Sequence, residues 1–524
     1  MTDEARRARI LATLAFAVGL AAGACQPPAP SAAPLPTRLP AGTATLATPG
    51  PASTPGPDAS PAAGARHGDA LRDAIDAADI LADLDRLQGF ADEHGGARQA
   101  GSDAEAAAAG FLADELRAVG LDVTLQPVDV PYFTQDAPSV IEIATGAGGA
   151  FEDLRDFKAM LFSASGDVTA QLFPLGFDPL AQPGAPGGVG CGPADWAEVP
   201  AGVIVLVQPA QCRRHDVVVH AQTAGAVAII TAYPGWSRDA VLRPTLINPD
   251  DIRIPALGVV HAVGVALYEA AAAGSAVHIK VATTVETRSS VNVIAETPTG
   301  DPAHVLLLGG HLDSVIDGPG INDNGSGTMT VLEIAREVAA AMAAGPAAGA
   351  SPWKVRVAFW TGEELGLWGS SAYVQSLDGA AIDAIEAYLN FDMIGSANGV
   401  RLVYDASAGL RPAEAATLTG LFGQAFERVG LLWQSAALGG SSDHFAFEQA
   451  GIAVGGLFSG ANEAKTASQA DLFGGTAEAP NDPCYHLACD TVDNVDPVLL
   501  EQMARAAAWV VGALASGEVV LGGA

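Results

Sequence analysis

Val305-Leu-Leu-Leu-Gly-Gly-His311-Leu-Asp313 is the stretch that decides the fold class, and Gly320-Ile-Asn-Asp323-Asn-Gly-Ser-Gly327 follows it closely. The apolar run 305–308 has the length and composition of a parallel β-strand that is covered on both faces. In α/β sheets of this kind, ligands bind beyond the carboxyl ends of the strands. We therefore expect an α/β fold with a doubly wound, mostly parallel sheet, and we expect His311 and Asp323 at its functional edge.

Further metal-ligating side chains follow two more strand-like runs and one late segment. The runs 355–360 and 387–391 and the segment 483–486 lead to Glu363 and Glu364, to Asp392, and to His486. Carboxylate oxygens together with imidazole nitrogens suit Zn²⁺ or a similar divalent ion. A carboxylate such as Asp323 can bridge two metals about 3.5–4 Å apart. One ion would need fewer ligands than this, so the pattern predicts two zinc ions per chain.

The adjacent pair Glu363 and Glu364 indicates two separate roles. Neighbouring residues of an extended segment point to opposite sides, so one glutamate can bind metal while the other faces the substrate. Asp313, two residues after His311, is placed to accept the second N–H of that imidazole and to fix its tautomer. Each of these patterns alone is usually solvated surface or accident, but together at strand ends they favour a metal site.

Six short motifs occur along the chain in the order His311-Leu-Asp-Ser, Asn322-Asp-Asn-Gly-Ser-Gly, Thr361-Gly-Glu-Glu-Leu-Gly, Asn390-Phe-Asp-Met-Ile-Gly, Ser442-Asp-His and Cys484-Tyr-His-Leu-Ala-Cys-Asp-Thr. In this order they resemble the co-catalytic zinc aminopeptidases of the aminopeptidase Y and secreted bacterial leucine aminopeptidase type. The resemblance implies that His311 and Asp392 hold one zinc, that Glu364 and His486 hold the other, and that Asp323 bridges them. It also implies that Glu363 is the general base and that Tyr485 donates a hydrogen bond to the tetrahedral oxyanion.

One motif departs from the pattern of the family. Some members carry an arginine just before Ser-Asp, whereas this chain reads Gly439-Gly-Ser-Ser-Asp443. Recognition of the substrate main chain by such an arginine is therefore not expected. His444 is interpreted as a supporting or structural residue rather than as a metal ligand.

The composition excludes some classes of partner. The 524 residues carry a formal net charge of −33, which disfavours nucleic acid and anionic membranes as partners. The length allows two or three domains. No apolar run past the N-terminus is expected to reach the roughly 18–20 residues of a spanning helix.

The N-terminus has the pattern of an export signal. Three arginines precede the apolar stretch 10–20, and small residues lead to Cys25, so residues 1–24 are predicted to be a signal peptide. A cysteine at this point resembles the bacterial lipoprotein cleavage box, although alanine replaces the usual leucine three positions earlier. We expect an exported protein that is anchored at the bacterial cell envelope by a lipid on Cys25; plain signal cleavage and secretion is the alternative.

Five cysteines in an exported protein leave one unpaired. A lipid on Cys25 would account for the odd one. Cys191 with Cys212 and Cys484 with Cys489 are then candidate disulfides, and free buried thiols are the weaker alternative in an oxidising compartment.

The remaining chain divides by composition and pattern. Residues 25–66 form a Pro/Ala-rich tether, and the first part of the peptidase domain is predicted at 67–162. Short strands and turns at 163–285 resemble an inserted protease-associated (PA) domain, with more catalytic domain as the alternative. The catalytic part of the peptidase domain is predicted at 286–518.

These observations predict an exported di-zinc metallo-aminopeptidase that acts on the N-termini of peptides or proteins. Nucleic acid is not an expected partner, and the membrane is contacted only through the lipid anchor. The alternatives are a carboxypeptidase or dipeptidase on the same scaffold, or a non-catalytic binding ectodomain.

Overall fold

A computed structural model describes residues 63–144, 149–182, 188–234, 241–343, 353–437, 439–517, 519 and 521. The predicted signal peptide, Cys25 and nearly all of the predicted tether lie outside these residues. The chain forms two compact units. The first contains the described residues up to Val130 together with those from Ser289 onward, and it is called the catalytic unit because it carries the predicted site residues. The second unit is Pro131–Arg288.

The described helices and strands are, in chain order, α1 (Ala63–Ala74), α2 (Ala77–Glu93), α3 (Asp103–Ala118), β1 (Asp122–Ile143), β2 (Phe157–Ala159), β3 (Gly166–Pro174), β4 (Ile204–Val207), α4 (Arg214–Thr223), β5 (Ala228–Tyr233), β6 (Ala256–Val260), α5 (His261–Ala272), β7 (Ala276–Glu296), β8 (Asp301–His311), α6 (Gly327–Ala343), β9 (Trp353–Trp360), α7 (Trp368–Ser376), α8 (Gly379–Ala384), β10 (Ile385–Phe391), β11 (Leu402–Asp405), α9 (Pro412–Glu427), β12 (Gln434–Ala437), α10 (His444–Gln449), β13 (Ala453–Phe458), α11 (Ala467–Phe473) and α12 (Pro497–Ala515). The alternation of strands and helices is that of an α/β protein, as predicted.

The sheet of the catalytic unit has the strand order β12-β11-β13-β10-β8-β9-β7. Neighbouring strands from β13 through β10 and β8 to β9 are parallel. The strand pairs β11–β13 and β9–β7 are antiparallel. The sheet is therefore mostly parallel, and β8, which carries the deciding stretch, lies near its centre.

The apolar run at the centre of the sheet is buried on both faces. Leu306 and Leu308 belong to a core cluster that includes α2, α6 and α12, whereas Val305 and Leu307 belong to a second cluster that includes α7 and α10. Since successive strand residues face opposite sides, this explains why the sequence shows a continuous apolar run instead of alternation. The prediction of a doubly wound sheet is confirmed.

Helix α12 packs against α1 and is largely buried in the catalytic unit. Among the described residues it has the length and hydropathy of a membrane span, although 78% of its apolar window is buried inside the protein. This helix contradicts the expectation that no apolar run past the N-terminus reaches the length of a spanning helix. A buried core helix has the same composition as a spanning one, and the burial of α12 accounts for its apolar residues.

The second unit has its own sheet and core. Its strands β3, β4, β5 and β6 are parallel neighbours, and β2 pairs antiparallel with β6. The core includes Ile204, Leu206, Ile230 and Leu257. The unit also contains the predicted disulfide Cys191–Cys212.

Candidate metal centre

The predicted ligands lie at one edge of the catalytic sheet. His311 is the last residue of β8, Glu364 follows β9, and Asp392 comes directly after β10. These three strands are parallel neighbours, so their carboxyl ends meet. Asp323 lies in the irregular turn Ile321–Ser326 before α6, and His486 lies in a turn between β13 and α12.

Asp323 lies between the two histidines. Its Oδ1 atom is 3.2 Å from Nε2 of His311, and its Oδ2 atom is 3.2 Å from Nε2 of His486. On the first side, Oδ1 of Asp392 lies 3.4 Å from Nε2 of His311. On the second side, Oε2 of Glu364 lies 3.2 Å from Nε2 of His486. One carboxylate thus offers a separate oxygen to each of two ligand clusters.

The chemistry of this edge fits divalent metal. The ligand atoms within each of the triads His311–Asp323–Asp392 and Asp323–Glu364–His486 lie within 4.8 Å of one another. Among the described residues, the buried atoms Oε1 of Glu364 and Oδ1 of Asp392 have no hydrogen-bond partner. Buried polar atoms normally have a partner, and a cation would supply one for both carboxylates.

The charges of the site are strongly coupled. Burial alone would lower the pKa of both histidines, but Asp392 and Glu363 raise that of His311 well above its usual value. Glu364 and Asp323 raise the pKa of His486 to about 10. Burial would raise the pKa of Asp323, but hydrogen bonds from the two histidines hold it low. The neighbouring carboxylates therefore favour the protonated form of both imidazoles.

We expect the apparent zinc affinity to rise with pH across the neutral range. Each imidazole must lose its proton before its nitrogen can bind metal, and below about pH 10 the proton on His486 competes with zinc. Raising the pH removes this competitor. Calorimetry in two buffers of different ionisation enthalpy counts the protons released on binding. A count near zero at pH 7 would contradict the raised pKa values.

Asp313 contacts the site differently from the expectation. Nδ1 of His311 is 3.0 Å from the main-chain oxygen of Asp313, and the carboxylate Oδ1 is farther away, at 3.7 Å. The carboxylate instead accepts the main-chain N–H groups of Glu363 (3.0 Å) and Glu364 (3.3 Å). The predicted residue thus fixes the imidazole through its backbone, and its side chain fixes the position of the glutamate pair.

Of the two predicted catalytic residues, Glu363 lies in a third cluster of candidate ligand atoms with His311 and Glu364, and Tyr485 precedes His486 in the chain. Glu363 is partly buried, and burial together with Glu364 and Asp392 raises its pKa well above the usual value. The ring of Tyr485 stacks on that of His486, with centroids 3.8 Å apart. Burial and the nearby carboxylates raise the pKa of Tyr485, so its hydroxyl keeps its proton. The predicted disulfide Cys484–Cys489 is present and brackets both residues.

A glycine allows α6 to begin next to the ligands. A Cβ atom on Gly327 would collide with the main-chain oxygen of Phe391, the residue before Asp392. The glycine therefore lets the start of the helix approach the end of β10 closely. This accounts for the small residues after Asp323.

Among the described residues, His444 belongs to none of the clusters of candidate metal ligands. Its Nε2 atom lies 2.6 Å from the main-chain oxygen of Gly439, and its ring packs on Tyr404. The residue just before it in the motif, Asp443, is also fully buried. The structure thus places His444 beside the site as a neighbour of the loop that carries Ser442.

Three residues that were not predicted from the sequence also support the site. The hydroxyl of Ser442 donates to Oδ2 of Asp392 at 2.6 Å. The carboxylate of Asp490 accepts the main-chain N–H of Asp323 at 3.0 Å. The guanidinium of Arg98, which is fully buried, donates to carbonyls of the loop between His311 and Asp323. Ser442 and Asp490 lie inside recognised motifs, whereas nothing in the sequence around Arg98 marks it.

The profiles of two known protein families match parts of the chain. The sequence profile of peptidase family M28 matches residues 292–511, and that of the PA domain matches residues 176–267. The first match contains all five predicted metal ligands. The second lies within the second compact unit.

Two curated relatives match most of the chain. One is "Probable lipoprotein aminopeptidase LpqL" of Mycobacterium tuberculosis, which is 34% identical over 463 residues, covering 86% of this chain and 87% of the relative. The other is "Aminopeptidase" of Pseudomonas aeruginosa (strain UCBPP-PA14), which is 34% identical over 442 residues, covering 83% of this chain and 80% of the relative.

Solved structures share the fold. The aminopeptidase from Aneurinibacillus sp. strain AM-1 superposes with a TM-score of 0.67 at 25% identity, covering 85% of this chain and 95% of that one. A zinc aminopeptidase from Bacillus subtilis superposes with a TM-score of 0.61 at 24% identity, and the match covers 83% of this chain and 94% of that one. The expected resemblance to zinc aminopeptidases that carry a PA domain is thereby confirmed, and the chain belongs to peptidase family M28.

Proposed function

We propose that this protein is an exported di-zinc metallo-aminopeptidase that removes N-terminal residues from peptides. The observation that carries the proposal is the carboxylate of Asp323, which offers one oxygen to His311 and the other to His486. A single metal would not need this arrangement. The names of the relatives, which are aminopeptidases, favour the same activity.

Five side chains of this chain would hold the metals. His311 and Asp392 would bind one zinc, Glu364 and His486 the other, and Asp323 both. Bound zinc supplies a Lewis acid that polarises the scissile carbonyl and lowers the pKa of water.

Glu363 and Tyr485 would carry out the proton transfer and the stabilisation of charge. In the proposed mechanism, Glu363 takes the proton of the attacking water and passes it to the nitrogen of the leaving amine. The hydroxyl of Tyr485 donates a hydrogen bond to the oxyanion of the tetrahedral intermediate. Burial and the nearby carboxylates raise the pKa of this hydroxyl, so it keeps the proton that it would donate.

The side chains around the ligand clusters offer a substrate terminus carboxylates rather than free cations, which suits an α-ammonium group better than an α-carboxylate. Carboxylates surround the ligand clusters, and the nearby cation Arg98 is fully buried and donates to main-chain carbonyls. A C-terminal carboxylate would need a free positive charge. The absence of the family's arginine before Ser442 removes one more candidate.

The proposal predicts which end of a peptide is required. Unmodified, N-acetylated and C-amidated forms of one peptide are incubated with the zinc-loaded enzyme, and the products are followed by mass. We expect the unmodified and amidated peptides to lose residues from the N-terminus and the acetylated peptide to resist. A chelator should abolish the cleavage.

The same experiment separates the alternatives. Cleavage of the acetylated peptide together with resistance of the amidated one would favour a carboxypeptidase. Cleavage of dipeptides but of no longer peptide would favour a dipeptidase. If no peptide is cleaved in a metal-dependent way, the binding ectodomain becomes the better explanation.

We also propose export and a lipid anchor on Cys25, with residues 1–24 as the signal peptide and 25–66 as the tether. The pattern of the N-terminus supports this, as does the relative that is named a lipoprotein. For the rest of the chain we propose the bounds 67–162, 163–285 and 286–518, although the second compact unit begins earlier, at Pro131.

Cys25→Ser should convert a membrane-associated protein into a soluble or unprocessed one. The thioether bond that carries the lipid needs the cysteine sulfur, and serine cannot replace it. Fractionation of cells that express each form measures the change. Wild type found wholly in the soluble exported fraction would leave only plain signal cleavage.

A further inference from the structure

Two buried acids flank the turn that carries His486. Asp482 lies four residues before His486 and Asp490 lies four residues after it, and each is only 1% exposed. Neither belongs to the clusters of candidate metal ligands found among the described residues. Burying a carboxylate is costly unless its oxygens are well bonded, so their partners indicate what they do.

Asp490 binds the main chain of the turn that carries Asp323. Its Oδ1 atom accepts the N–H of Asn322 at 2.8 Å, and its Oδ2 atom accepts the N–H of Asp323 at 3.0 Å. Its main-chain oxygen accepts the N–H of Ile321 at 3.1 Å. One residue thus holds three successive N–H groups that end at the bridging carboxylate.

Asp482 binds the same turn from the other side of His486. Its Oδ2 atom accepts the side-chain amide of Asn322 at 2.6 Å, and its Oδ1 atom accepts the N–H of Cys484 at 2.8 Å. The amide of Asn494 donates to both acids, at 2.9 Å to Asp482 and 3.2 Å to Asp490. The two acids and the two asparagines form one connected buried network.

The two metal triads differ in how their ligands are held. His311 and Asp392 lie at the ends of β8 and β10, whose register is fixed by the ladder that pairs Leu308 with Leu389 and Gly309 with Asn390. His486 lies in a turn and has no such ladder. Its distance from Asp323 therefore depends on contacts between the two turns.

We propose that Asp482 and Asp490 are positioning residues that fix His486 relative to Asp323, and so set the zinc affinity of the Asp323–Glu364–His486 triad selectively. This inference rests on the proposed two-zinc site. Groups that orient metal ligands commonly change metal affinity by about 10–100-fold when mutated.

Asp490→Asn tests the inference directly in the full-length protein. An asparagine keeps the shape but turns one acceptor oxygen into an N–H₂ group that faces a main-chain N–H. Metal-free protein is titrated with zinc against a chelating dye, and the binding events are resolved. We expect one event to weaken by about 10–100-fold and the other to stay as in wild type.

Histidine variants identify the weakened site. In the His311→Ala background, Asp490→Asn should weaken the zinc-binding event that remains. In the His486→Ala background, Asp490→Asn should leave the remaining zinc-binding event unchanged. Equal weakening in both backgrounds, or in neither, overturns the proposal.

A matched control is Asp83→Asn, the same change at a buried acid that pairs with Arg336 at 2.5 Å in another part of the unit. Asp83→Asn should leave both zinc-binding events unchanged. If near-UV circular dichroism shows that Asp490→Asn is unfolded, Asp482→Asn gives the same test, because it leaves all contacts of Asp490 with main-chain groups in place. If the wild-type protein binds only one zinc, the two-zinc site itself is overturned. If the wild type binds two and Asp490→Asn weakens both binding events equally, only the positioning role is overturned.

Discussion

Glu363→Gln should lower kcat by about 10²–10⁴-fold, the usual contribution of general acid–base catalysis, while zinc content stays near two per chain. Glutamine has the shape of glutamate but cannot take a proton from water. Within the described residues, Glu363 forms no ion pair within 4 Å, whereas Glu364 lies 3.2 Å from His486. Because substrate binding does not require the proton transfer, KM should change little. Steady-state kinetics and metal analysis of the purified variant measure both quantities.

Glu364→Gln is the matched control, since it makes the same chemical change one residue away. It should lose zinc from the site that His486 shares, and added zinc should restore part of its activity. If Glu363→Gln were instead the variant that loses zinc, the roles of the two glutamates would be reversed.

Asp323→Ala should disturb both metal sites and reduce activity accordingly. Its carboxylate is the group that faces both His311 and His486. Supporting groups of metal ligands are worth about 10–100-fold in affinity, and loss of a bridging ligand should weaken each site by at least that much. The turn itself should keep its shape, because Asn324 donates to the main-chain oxygen of Phe391 and Ser326 accepts the main-chain N–H of Ile394.

Variants of the two histidines provide the comparison for Asp323→Ala. His311→Ala and His486→Ala should each weaken mainly one binding event in a zinc titration of metal-free protein. Two undisturbed events in Asp323→Ala would reject the bridging role, and loss of only one would reduce Asp323 to a ligand of a single metal.

Much of the catalytic fold could be predicted because its signals are local. The run 305–308 is apolar at every position since the strand is covered on both faces, and its residues divide between two core clusters. Helix α3 (Asp103–Ala118) begins after Ser102, whose side chain accepts the N–H of Glu105. Such patterns depend on residues within a few positions of one another.

Helix α12 shows where local signals fail. Its composition is that of a membrane span as much as that of a core helix. The difference lies in what surrounds it, which here is α1 and the rest of the apolar core. Composition alone does not contain that information.

The sequence by itself indicated the kinds of candidate ligand, and it indicated that His311, Glu364 and Asp392 lie at or just after the ends of strands. It could do so because a strand and the residues that follow it are adjacent in the chain. It also indicated the two disulfides, since lipidation of Cys25 would leave four cysteines to pair. Only the tertiary structure decided that each oxygen of Asp323 faces a different histidine, and that the carboxylate of Asp313 holds the glutamate pair. It alone also brought Arg98 and Asp490 to the loops that carry the ligands. The physical reason is that these contacts join segments far apart in the chain, and their geometry is set by the packing of the sheet edge.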